Sequence, residues 1–366
     1  GNMMRLWLWL LAAAAAIGCF VTVDRLVASN LYEAHALAEA VDIESTDTYL
    51  AKLELIRRHP GPVVAVIGDS QVVGETMAEH GDRSWRSHTI DRQLQQRLSA
   101  DPALKSALVV NLGANGMLPA DMEFVARDAL KAGADAIITN VSIRSFSADF
   151  DKAEAAMARP WLARLCRDAQ DALPRSCDEA SWSKRTRDLL ASHWILYRNL
   201  DFLQERYLGG SYREALHTLT RFLPRYLADP DAASPPGDEL VLLFRARARF
   251  QSVAFSDEHL QAQALKRTLD FVRGAGAHAI VFYSTENPTQ IGQLMEPAKA
   301  EENRQKILSF LQGYASEKLV MVPPLPELSA RFFLDFMHLD ADGYRILAQH
   351  LSQPLARLLA ASANPR

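Results

Sequence analysis

At 366 residues, with 49% hydrophobic and 23% charged residues, the chain can pack a sizeable core and is far from the composition of a disordered protein. Its formal net charge is -4, and Lys and Arg are spread along it rather than clustered, so nothing points to nucleic acid. Three cysteines without a Cys-x-x-Cys spacing argue against zinc, and no metal or cofactor is expected.

The first element is an uncharged apolar run from Leu6 to Val23, preceded by Arg5. It is about 18 residues long, the lower edge of what spans a bilayer. Arg5 would stay in the cytoplasm by the positive-inside rule, which sends the rest of the chain outward. A cleaved signal segment is the alternative, and a lipidated Cys19 in Ala16-Ile17-Gly18-Cys19 is a third. All three place the main domain in the periplasm or outside the cell. In such an oxidising compartment Cys166 and Cys177 can pair; two unpaired thiols are the other reading.

Residues 1–24 thus read as a membrane anchor or signal segment and 25–61 as a helical linker, with helical spacing from Arg25 to Arg58 and a stop at Pro60-Gly61-Pro62. Val63–Ile67 is apolar on both faces and rich in β-branched residues, the mark of a buried parallel strand. It runs into Gly68-Asp69-Ser70, where Gly68 permits a tight turn at positive φ. A helix is expected over His88–Leu98, a second strand over Ala107–Leu112, a helix over Ala120–Ala132 stopped by Gly133, and a third strand over Asp135–Val141.

That rhythm breaks near residue 147. No buried strand is evident over 147–255; helical segments are expected at Lys152–Ala172, Trp182–Leu208, Tyr212–Leu227 and Asp238–Phe255, which makes the stretch a helical insertion. Strand and helix then alternate again: a helix at Asp257–Gly274, a strand at Ala277–Ser284, a helix at Ala298–Tyr314, a short strand at Leu319–Val322, and a closing helix at Ala341–Leu359 with Asp340 as its N-cap. The expected fold is α/β, a three-layer sandwich around a parallel sheet built from 62–146 and 256–366.

Two separated motifs carry chemistry. Ser70 follows the first strand, where the chain turns into a helix and exposes a hydroxyl at the sheet edge. Asp335-Phe336-Met337-His338 puts a carboxylate three residues before an imidazole, so one loop can supply a base for a serine hydroxyl and the acid that orients that base. The pair resembles the GDS and DxxH blocks of the SGNH, or GDSL, hydrolase superfamily, over about residues 62–146 and 257–360. The resemblance implies a flavodoxin-like sheet with Ser70 as nucleophile, His338 as general base and Asp335 as its orienter. For the oxyanion hole it implies Gly116, at the end of Asn111-Leu112-Gly113-Ala114-Asn115-Gly116, with Gly113 the weaker choice. The GxND of the third block is absent; within Thr139–Phe146, Asn140 is the candidate third donor, with Asn115 or Ser142 as substitutes. Gln71 stands where the family often has Leu or Ile.

An anchored domain of this type without a clean third block resembles the DltD-like and alginate-acetylation-type proteins. That resemblance implies a serine-dependent O-acyltransferase acting on a cell-envelope polysaccharide or another acyl acceptor, beside an MBOAT-type membrane acyltransferase. A carbohydrate esterase or lipase is the first alternative. The second is a non-catalytic accessory subunit of such a membrane enzyme, docked through 147–255. Glu286-Asn287-Pro288, at a strand end, reads as an ordinary turn or as part of the cleft lining.

Overall fold

The computed structural model describes residues 2–33, 43, 46–168, 173–177 and 246–362. Among them are seven strands: β1 (Val63–Ile67), β2 (Leu108–Asn111), β3 (Ala136–Val141), β4 (Leu165–Cys166), β5 (Arg175–Ser176), β6 (His278–Tyr283) and β7 (Leu319–Val322). The helices include α1 (Asn2–Glu33), α2 (Thr46–Arg58), α3 (Ser70–Val73), α4 (Ile90–Ala100), α5 (Pro119–Ala132), α6 (Leu260–Gly274), α7 (Pro297–Gln312) and α8 (Ala341–Ser362).

Five strands form one sheet in the order β2-β1-β3-β6-β7, and every pairing is parallel. The chain winds outward from β1 to β2, returns past β1 to β3, and continues to β6 and β7. This is the doubly wound, flavodoxin-like order. It opens a crevice at the carboxyl ends of β1 and β3, where the winding reverses. The alternation along β1 shows why both faces must be covered. Val63, Ala65 and Ile67 enter one core with residues of α2, α5, α6 and α7, whereas Val64 and Val66 enter a second core with α4 and α8. The elements follow local chemistry as expected. The Asp121 carboxylate accepts the Leu118 N–H at the start of α5 (2.9 Å), and Gly133 ends that helix at φ 108. Asp340 caps α8 by accepting the Gly343 N–H at 2.7 Å.

Several expectations are corrected. The helical reading of Arg25–Arg58 agrees with the end of α1 and with α2; Ile43 is not helical, and residues 34–42, 44 and 45 lie outside the described residues. Over Lys152–Ala172 the described part is not an α-helix: it forms 3₁₀ turns at Ala153–Ala155 and Pro160–Arg164 and then β4. The cause is tertiary. The Asp121 carboxylate takes the N–H groups of Ala158 (2.9 Å) and Arg159 (2.7 Å), donors that a helix would have used internally. β4 and β5 pair antiparallel, and Cys166 and Cys177 form a disulfide with Cα atoms 5.1 Å apart. In Asp238–Phe255 the described helix covers only 246–251, and Val253 pairs as an isolated bridge with Ser147. The segments Trp182–Leu208 and Tyr212–Leu227 lie outside the described residues. α1 includes the apolar run of residues 6–23, and Trp7, Leu11, Ile17 and Phe20 are exposed on it. Among the described residues, no helix is long and apolar enough to cross a membrane.

Candidate active site

The site begins with the turn after β1. Asp69, fully buried, caps the single turn α3 by accepting the Gln71 N–H (3.0 Å), and Gly74 ends that turn at φ 75. Ser70 is therefore the first residue of the turn, and its own N–H has no intrahelical partner and no other hydrogen bond among the described residues. Tyr344 of α8 holds the turn from below, donating its buried hydroxyl to the Gln71 carbonyl at 2.6 Å.

The loop before α8 comes to the same edge. Ser70 Oγ lies 2.8 Å from His338 Nε2, and His338 Nδ1 lies 2.7 Å from Asp335 Oδ2. Asp335 Oδ1 accepts the N–H groups of Met337 and His338, both at 2.8 Å. Burial alone would raise the Asp335 pKa. The hydrogen bond and charge of His338, with the two backbone N–H groups, outweigh it and hold the carboxyl below the ordinary aspartate range. An ionised Asp335 can only accept, so Nδ1 carries the hydrogen and Nε2 is left to accept from the serine hydroxyl.

The loop after β2 lies against the nucleophile turn. Ala114 N–H donates to the Gly68 carbonyl (3.0 Å), and the Asn115 amide donates to Glu75 (2.9 Å). Gly116 adopts φ 73, and its N–H has no hydrogen bond among the described residues. Gly113 is different: its N–H is taken by the Asn111 side chain at 2.8 Å. Ser142 is buried, with its carbonyl accepting from Ser145 (3.0 Å).

Asn140 does not present a donor in this arrangement. Its Nδ2 gives one hydrogen to Asp69 Oδ1 (2.9 Å) and the other to Ser284 Oγ (2.8 Å), while its Oδ1 accepts the Asp69 N–H (3.3 Å). Both amide hydrogens are spent on organising the turn, and none is left for an oxyanion. Gly68 is also explained differently than expected. It is not at positive φ; a Cβ there would lie 2.2 Å from Asn140 Oδ1 and 2.4 Å from Val72 Cγ2. Glycine is required because the Asn140 amide occupies the space of a side chain. Beyond Asp69, the Arg144 guanidinium approaches to 3.9 Å of Oδ2, and burial lowers its pKa.

One residue escaped the sequence reading in this role. Asn287 sits just past β6, and both its backbone and its side chain donate to the loop that carries Asp335 and His338. The only local signal is a polar residue before a proline at the end of a buried strand.

No protein-family model and no curated protein matches the chain. Among solved structures it is similar to a candidate acylhydrolase from Bacteroides fragilis, at 8% identity and a TM-score of 0.38, over 87% of this chain and 100% of that one. It is also similar to a family two carbohydrate esterase from Cellvibrio japonicus, at 13% identity and a TM-score of 0.29, over 82% of this chain and 62% of that one.

Proposed function

We propose that the chain is a serine-dependent O-acyltransferase that modifies a cell-envelope polysaccharide through an acyl-serine intermediate. The observation that supports the serine-nucleophile part of this reading, common to transfer and hydrolysis, is the hydrogen-bonded series Ser70–His338–Asp335 at the carboxyl edge of the sheet. His338 Nε2 takes the Ser70 proton as Oγ attacks the carbonyl carbon of an acyl ester. The negative oxygen that forms is met by the unspent N–H groups of Ser70 and Gly116. Asp335 stabilises the imidazolium, which returns its proton to the departing alkoxide. The acyl-serine is then attacked by a sugar hydroxyl that gives its proton to His338, and ester exchange regenerates Ser70. The apolar run of residues 6–23 supports an envelope acceptor, since an anchored catalyst is held where such polymers are assembled, next to an MBOAT-type supplier of acyl groups.

The test follows the fate of the acyl group. The full chain and Ser70→Ala are incubated with p-nitrophenyl acetate and candidate envelope glycans, and free acetate and acetylated glycan are measured. Acetylated glycan that falls by about 10³-fold or more in Ser70→Ala is the expected result. Free acetate alone would reassign the chain to hydrolysis. Absence of both products and of any acyl-serine would leave an accessory subunit.

A further inference from the structure

We infer that Asn287 is a positioning residue that sets where Asp335 holds His338; the inference rests on the Ser70–His338–Asp335 reading of the site. The loop of residues 333–339 is closed on itself by the Phe333–Leu339 bridge and by the Leu334 N–H donating to the His338 carbonyl at 2.8 Å. Those bonds give the loop a shape but do not place it on the sheet. Asn287 ties it to the end of β6, beside the edge-on packing of Phe336 against Phe250. Its backbone N–H donates to the Phe336 carbonyl (2.8 Å), and its Nδ2 donates to the Asp335 carbonyl (3.0 Å).

Asn287 is itself held in place. It is buried, and its Oδ1 accepts the N–H (3.1 Å) and the hydroxyl (2.9 Å) of Thr289. The preceding Glu286 is buried too, bonded to the Tyr283 hydroxyl and to Arg304. Three residues before Asn287, Ser284 accepts the Asn140 hydrogen bond, and Asn140 also holds Asp69 beside the nucleophile. One short loop after β6 therefore touches both halves of the site. Through Asn140 it registers the Ser70 turn, and through Asn287 it registers the acid–base loop. Misplacement of reacting groups by about 1 Å can cost about 10²-fold in rate, so this bracing matters to the 2.8 Å contact between Ser70 and His338.

Asn287→Asp and Asn287→Ala together test the effect, since Asn287→Ala removes the Nδ2 donor without adding a charge beside Asp335. Asn287→Asp keeps the backbone donor and the acceptor for Thr289, and it replaces the Nδ2 donor by an oxygen facing the Asp335 carbonyl. Full-length wild type, Asn287→Asp, Asn287→Ala and Ser70→Ala are compared for turnover of p-nitrophenyl acetate and for labelling of Ser70 by a fluorophosphonate. The low-field proton resonance of the His338 Nδ1–H is also followed. Both Asn287 variants should lose about 10- to 100-fold in kcat with KM held within about twofold, because Asn287 acts through Asp335 and not on the substrate. The low-field resonance should shift or broaden while the thermal melt stays cooperative. An unchanged resonance with kcat at the wild-type value, or lowered only in proportion to the folded fraction, overturns the inference. Turnover that survives in Ser70→Ala would instead overturn the serine reading. The resonance, which needs no activity, would then still decide whether Asn287 sets the His338–Asp335 contact.

Discussion

Gly68, directly before the nucleophile's cap, shows how little slack the site has. The Asn140 amide lies where a side chain would begin, with Oδ1 2.2 Å from an ideal Cβ position. Gly68→Ala must therefore push Asn140 away from Asp69 and Ser284. We expect a loss of about 1–3 kcal/mol in stability by denaturant unfolding, the usual cost of overpacking. Fluorophosphonate labelling of Ser70 should slow in the same variant. A substitution with wild-type stability would show that the amide does not sit over residue 68. That Ser70, Asp335 and His338 would meet was legible, because a hydroxyl at a strand end and an acid three residues before a base are local patterns. What Asn140 and Asn287 bond to was not. An amide shows its partner only once segments 71 or 48 residues away have been brought to it by the fold. The same limit hid the reason for Gly68, since its φ was a local guess and its neighbour a distant one.

At the scale of elements, α2 and α5 are joined by a polar contact inside an apolar interface. The buried Tyr49 hydroxyl donates to Asp128 Oδ2 at 2.7 Å, and Arg167 meets the same carboxylate through Nε (2.9 Å) and Nη2 (2.8 Å). Trp161 packs edge-on against the Tyr49 ring, with centroids 5.5 Å apart. The contact fixes the segment after the 3₁₀ turns to two helices of the domain. Tyr49→Phe keeps the ring and removes one bond to a buried carboxylate, so it should cost about 1–2 kcal/mol in a thermal or denaturant melt. It should leave Ser70 labelling unchanged, because none of these groups touches the catalytic loop. A melt identical to wild type would mean that Asp128 is satisfied by Arg167 alone. The strands of the main sheet were readable from continuous apolar runs, since a strand buried on both faces has few other ways to satisfy its side chains. The segment after residue 152 was not, because its apolar residues carry helical spacing while the Asp121 carboxylate claims the backbone donors of Ala158 and Arg159.

At the scale of the whole molecule, the alternation of strand and helix pointed to a parallel α/β sheet, the flavodoxin-like arrangement came only with the family resemblance, and the excursion between β3 and β6 had to be read from a break in that alternation. The proposed anchor belongs to this scale as well. If residues 6–23 sit in a bilayer, the full chain should stay with the membrane fraction through alkaline carbonate and high salt, and detergent should release it. Recovery in the soluble fraction after carbonate, with the N-terminus intact, would remove the membrane argument for an envelope acceptor. It would leave the serine chemistry as it stands.

The pairing of Ser147 with Val253 has a consequence for changes in chain length. Ala148 donates to Ser252, Ala254 donates to Phe146, and the hydroxyls of Ser147 and Ser252 meet at 2.8 Å, so residues 146–148 and 252–254 are joined in one hydrogen-bonded stem. A loop whose ends are already joined grows at an entropic cost that rises only with the logarithm of its length. Chain added or removed between residues 177 and 246 therefore changes that closure cost little, whereas residues 158–167 are held to the domain by Asp121 and Asp128 and are not free to vary in this way.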